Sequence, residues 1–134
     1  MVGETNLDKL LSSMSPKLQP QEYVFCCLES DHSAYSEGLN LDAIATFREE
    51  EGLTLVLEKS AADKAGLSYD SVFNCITLTV HSSLDAVGLT AAVATKLAEH
   101  DISANVIAAF YHDHIFVQVE KAHAAIAALK SFQE

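Results

Sequence analysis

The residues best suited to chemistry in this chain lie in the string Val80-His81-Ser82-Ser83-Leu84-Asp85-Ala86-Val87-Gly88. Two hydroxyls, a carboxylate and a glycine stand directly before a stretch of helical periodicity, which places them at a helix N-terminus. Such an end presents unpaired N–H groups and a partial positive charge, a setting for an anionic ligand group. Gly88 either lets a ligand approach the backbone without a Cβ in the way or relieves packing where the helix starts. Asp85 either pairs with a ligand ammonium or gains from the helix dipole. Ser82 and Ser83 donate to a carboxylate, or cap the helix and turn the chain. Asn105 stands among apolar strand residues. If buried, its amide needs partners, from a ligand or from across the strand.

Other constellations are weaker. In His112-Asp113-His114 residues i and i+2 share a strand face, which invites a metal reading. No third ligand is identifiable, and an exposed hairpin turn accounts for the set better. Ser82, His81 and Asp85 supply the residue types of a hydrolytic triad, but adjacency in one loop does not orient a base toward a nucleophile. There is no nucleophile elbow, phosphate loop or dinucleotide glycine fingerprint. Neither an enzyme nor a metal or cofactor is expected. His81 borders the loop and would tune it with pH; His32, His100 and His123 read as surface or loop-edge residues.

The 134 residues suffice for one core, or for two small modules sharing one. With 19 acidic against 8 basic residues the net charge is −11, which argues against a nucleic-acid partner, since phosphate backbones need clustered Lys and Arg. No apolar run has the roughly 18–20 residues a bilayer span needs, and residues 1–6 carry no secretory pattern. No membrane association is expected. Cys26, Cys27 and Cys75 form an odd, unpatterned set; it fits buried thiols in a reducing cytoplasm.

These residues need elements to position them. Leu7, Leu10, Leu11 and Met14 recur at helical spacing, with Thr5 or Asn6 as cap and Pro16 as stop. After a short extended link over 17–21, residues 23–28 predict a strand buried on both faces. Polar residues 29–40 predict a loop. Residues 44–48 and 53–57 predict a hairpin about Glu49-Glu50-Glu51-Gly52, whose glutamates face water. Ser60-Ala61-Ala62-Asp63 resembles a capping box opening a short helix that Gly66 closes. Residues 73–80 predict a half-buried strand, with Ile76, Leu78 and Val80 inward and Thr77 and Thr79 outward. Leu89, Val93 and Leu97 mark a helix face. Strands over 102–110 and 114–119, joined by a tight turn, lead to a last helix with Ala122, Ile126 and Leu129 inward. The two halves echo each other, as in a repeated α/β unit.

The strings Cys75-Ile76-Thr77-Leu78-Thr79-Val80, Leu84-Asp85-Ala86-Val87-Gly88-Leu89 and Leu97-Ala98-Glu99-His100-Asp101-Ile102-Ser103-Ala104-Asn105-Val106-Ile107 resemble ACT domains, the βαββαβ ferredoxin-like module that senses amino acids in metabolic enzymes. The last string is similar to a signature of the regulatory domains of aspartate kinase. The resemblance implies an α+β fold of two ferredoxin-like units in tandem, with antiparallel sheets and helices on one face. One unit would cover residues 1–70, its first helix replaced by a loop, and the other 71–134. The second unit stops short of its own last strand; a strand from the first half, over 23–28, or a partner chain is expected to close the sheet.

The resemblance further implies a non-enzymatic, cytoplasmic regulatory or sensor protein, a homodimer or higher homo-oligomer. It would bind a small amino acid or similar metabolite where two ACT units meet. Carried onto this chain, the ligand contacts are Ser82, Ser83, Leu84, Asp85, Val87 and Gly88 from the loop, with Asn105, Val106 and Ile107 from a facing strand. The alternative is an interaction or oligomerisation module without ligand.

Overall fold

In a computed structural model of the chain, residues 6–29, 41–79 and 88–133 are described. Helix α1 spans Leu7–Ser13 and is capped by Asn6, whose side-chain oxygen accepts from the Lys9 N–H at 3.1 Å. Strand β1 follows over Pro16–Leu28, so the expected link is strand too. Next come β2 (Ala45–Glu49), β3 (Gly52–Glu58) and α2 (Lys59–Ala65). The second half runs β4 (Phe73–Leu78), α3 (Leu89–Glu99), β5 (Asn105–Ala108), β6 (Asp113–Gln118), a 3-10 turn at Val119–Lys121 and α4 (Ala122–Lys130).

The chain packs as two compact units. One combines residues up to Pro20 with those from Asn74 onward; the other is Gln21–Phe73. The first, the larger, orders its strands β1-β4-β6-β5, with β5 and β6 antiparallel from Asn105↔Phe116 to Ala108↔Asp113. Its closing strand is the N-terminal part of β1. The Ser15 carbonyl accepts from the Thr79 N–H at 3.0 Å and from the Thr79 hydroxyl at 2.6 Å. The 23–28 segment expected in that place pairs instead with β3, from Tyr23↔Glu58 to Leu28↔Leu53. The reason is side-chain volume: Val24, Cys26 and Leu28 pack with Leu53, Leu55 and Leu57.

Ile76 and Leu78 of β4 and Ile115 and Val117 of β6 face one way, against Leu10 and Met14, Leu89, Val93 and Leu97 of α3, and Ala125 and Leu129 of α4. All three helices therefore cover the same sheet face. Each fully buried Leu or Ile contributes about 1.5–3 kcal/mol over its exposed state, and Leu10 and Met14 are how the N-terminal helix is held to this unit.

The second unit orders its strands β2-β3-β1, the same arrangement as β5-β6-β4. The β2–β3 hairpin turns at Glu50-Glu51, with Glu49 opposite Gly52. A Cβ on Gly52 would stand 2.3 Å from the Leu28 carbonyl oxygen, so only glycine fits this turn. The expected capping box is not formed. Helix α2 starts at Lys59 on an N-cap, Glu58, whose side chain makes no cap bond. Asp63 instead accepts from Lys59 Nζ at 2.9 Å and from the Tyr69 hydroxyl at 2.6 Å. Gly66, at φ +70°, closes the helix. Cys26 and Cys75 are buried and Cys27 is exposed, all as free thiols.

Candidate functional site

Of the loop residues named from the sequence, Ser82, Ser83, Leu84, Asp85 and Val87 lie outside the described residues, as does His81. Gly88 is the N-cap of α3 at φ +95°, a left-handed conformation that glycine adopts without strain. A Cβ there would come within 3.2 Å of Leu7 Cδ2. Backbone geometry and the α1 contact already account for this glycine.

On the strand side, alternation divides the three named residues. Val106 packs against the core, whereas Asn105 and Ile107 point to the sheet face without helices. Asn105 is exposed and donates from Nδ2 to the Phe116 carbonyl at 3.2 Å, the cross-strand bond that is one of its two expected roles. Ile107 stands opposite His114 in the ladder.

That same face carries a polar chain the sequence reading missed. Gln19 Nε2 donates to Thr77 Oγ1 at 3.0 Å, and Thr77 Oγ1 lies 3.0 Å from His114 Nδ1. With Gln19 donating, the Thr77 proton is free to go to Nδ1, which places the neutral His114 proton on Nε2. Thr77 is 6% exposed, not the solvated residue its alternation with Ile76 and Leu78 predicts. The strand is central, so side chains of both neighbouring strands, Gln19 of β1 and His114 of β6, lie over Thr77. His112, Asp113 and His114 are half-buried rather than an exposed turn; the turn falls earlier, with the Ala109 N–H donating to the His112 carbonyl at 3.1 Å.

Burial lowers the His114 pKa, and the neighbouring His112 adds to this while Asp113 opposes it. Burial likewise raises the Asp113 carboxyl above its usual range, against the two histidines. His112 Nδ1 is buried without a partner among the described residues. No group of three His, Cys, Asp or Glu side chains able to hold a metal comes together among the described residues. Burial raises the thiols of Cys26 and Cys75, which keeps them protonated and poor nucleophiles.

Two ACT-domain family models match the chain in tandem, over residues 2–74 and 70–131. The chain belongs to the ACT-domain family. Such domains are generally regulatory, ligand-binding modules. The chain is 60% identical to a Vibrio cholerae protein of unknown function, described as a possible transport protein; 96% of each chain is covered at a TM-score of 0.86. It has the fold of an Agrobacterium tumefaciens protein at 16% identity and TM-score 0.70, covering 90% of this chain and 89% of that one. The regulatory subunit of aspartate kinase from Thermus flavus shares the fold at 9% identity and TM-score 0.66, covering 90% and 97% of the two chains. No curated protein matches the sequence. Among the described residues no helix is long and apolar enough to cross a membrane.

Proposed function

We propose that this ACT-domain protein is a non-catalytic cytoplasmic sensor of a small amino acid or related metabolite, bound where two copies of its larger unit meet. The 82–88 loop of one copy would hold the carboxylate through Ser82, Ser83 and the backbone at Leu84, Val87 and Gly88, with Asp85 on the ammonium. The β5 strand of the other would form the facing wall, with the side chains of Asn105 and Ile107 and the backbone at Val106. What supports this reading is the match of residues 70–131 to a family of ligand-binding modules, with a left-handed Gly88 as the N-cap of α3. Regulation then requires that the ligand bind one assembly state better than another.

Calorimetric titration with the twenty amino acids tests it. At least one is expected to bind saturably to the wild type, and Asp85→Ala and Asn105→Ala to weaken that amino acid by about tenfold or more. Binding unchanged in both variants would remove the site assignment. A second reading, an oligomerisation module without ligand, is favoured by the exposed aromatic pair Phe110 and Tyr111, whose ring centroids are 5.0 Å apart at the β5–β6 turn. Sedimentation showing a tight dimer with no amino acid bound would select it.

A further inference from the structure

At the end of α3 away from Gly88, the larger unit holds a cleft of about 320 Å³ lined by Ala98, Asp101, Ile102, Ser103, Gln118 and Lys121. It lies where α3 and β6 end and where β5 and α4 begin. Its size falls at the lower edge of the range for small-molecule sites, roughly 300–1,000 Å³. Buried Ile102 gives it an apolar floor. The rim offers one carboxylate, one ammonium, one hydroxyl and one amide.

The two charges are misplaced for helix stability. Asp101 follows the C-cap of α3, the end at which the helix dipole favours a cation. Lys121 is the N-cap residue of α4, where an anion is favoured, and it makes no side-chain cap bond. Asp101 also occupies φ +59°. Its N–H donates to the Ala98 carbonyl at 3.0 Å and that of Ile102 to the Leu97 carbonyl at 3.0 Å, a helix ending that calls for glycine at this position. The two residues line one cleft, yet neither makes an ion pair with another described residue. Nor do Ser103 and Gln118 spend their side chains on another described residue. Local rules broken together at one place are a mark of function rather than of folding.

We propose that this cleft is a second ligand site, which takes the zwitterionic head of a free α-amino acid. The ammonium lies against Asp101 at the C-terminal end of α3, and the carboxylate against Lys121, with Ser103 and Gln118 as further hydrogen-bond partners. Each charge of the ligand then meets the protein charge and the helix end of opposite sign. The site is separate from Gly88, which stands at the other end of α3.

An amide-resolved NMR titration of the full chain with glycine tests this, because glycine carries the two charges and nothing else. Saturable shifts are expected at residues 98–103 and 118–122, with acetate and methylammonium each binding about tenfold more weakly or worse. Asp101→Gly and Lys121→Met should each weaken glycine by about tenfold or more. Glycine suits the left-handed backbone at position 101, so Asp101→Gly should bind poorly while melting no lower than the wild type. The proposal is overturned if glycine leaves those amides unmoved, or if both variants retain the shifts. Shifts confined to Gly88 and residues 105–107 would overturn it and leave the loop site standing; shifts confined to the cleft would do the reverse.

Discussion

Among the described residues, the larger unit closes fourteen buried residues under α1, α3 and α4, whereas Gln21–Phe73 closes seven under the single short helix α2. Both repeat one strand order, yet they use their polar residues differently. The larger unit holds a half-buried Gln19–Thr77–His114 chain centred on the buried Thr77. The smaller leaves its Lys59–Asp63–Tyr69 cluster in water, with Lys59 and Asp63 sharing a 2.9 Å ion pair of two exposed side chains. Buried polar networks are strong and specific when satisfied, while exposed pairs contribute little. The larger unit therefore holds polar groups in place within its sheet, whereas the smaller leaves them to solvent.

The comparison breaks most readily in the cores. Leu97→Ala should cost about 4 kcal/mol and Leu55→Ala about 3 kcal/mol in urea denaturation, since both are fully buried but the larger core has less freedom to collapse around a cavity. A larger cost for Leu55→Ala would reverse the ranking. Gly52→Ala should follow at roughly 3 kcal/mol, because a Cβ meets the Leu28 carbonyl, a backbone atom that cannot swing aside. Thr77→Val keeps the shape but strands Gln19 and His114, and should cost about 1–3 kcal/mol; a neutral result would mean that the polar chain does no structural work.

A smaller effect is set by pH. The folded His114 pKa lies below the ordinary histidine value of about 6.5, so the unfolded chain binds a proton that the folded chain refuses. Stability should therefore decline as pH falls from about 6.5 to the lowered folded value, and His114→Asn should flatten that decline. Asp113, whose folded pKa is raised, acts oppositely: below that raised value the folded chain takes up the proton first and regains stability. Denaturant midpoints at successive pH values separate the two. Asp63→Asn, by contrast, removes only an exposed ion pair, and its midpoint should match the wild type at neutral pH.

Much of this was legible from residue spacing. The Leu89, Val93 and Leu97 face, the Glu49–Gly52 hairpin and the Gly66 helix stop are local patterns, and local patterns survive into the fold. What failed was non-local. Thr77 alternates with Ile76 and Leu78, which cannot reveal that neighbours on both sides will bury it. Nothing near residues 17–21 announces a strand, because its partner is Thr79, more than fifty residues on. The 60–63 string had the spelling of a capping box, but Tyr69 and Lys59 drew Asp63 away. As for the candidate site, Asn105 was singled out as an amide needing partners if buried, but it is exposed and bonds across the strand, whereas the wrong-ended charges of Asp101 and Lys121 gain meaning only once their helices share a cleft.

The central claim is that the folded chain binds an amino acid. Thermal melting against the twenty amino acids, each at high excess, tests it most directly. At about a hundredfold excess over its dissociation constant a ligand adds about 2.7 kcal/mol, which for a chain of this size raises the midpoint by roughly 8 °C. One or a few chemically related amino acids should produce that rise. Twenty superimposable melting curves would contradict the account.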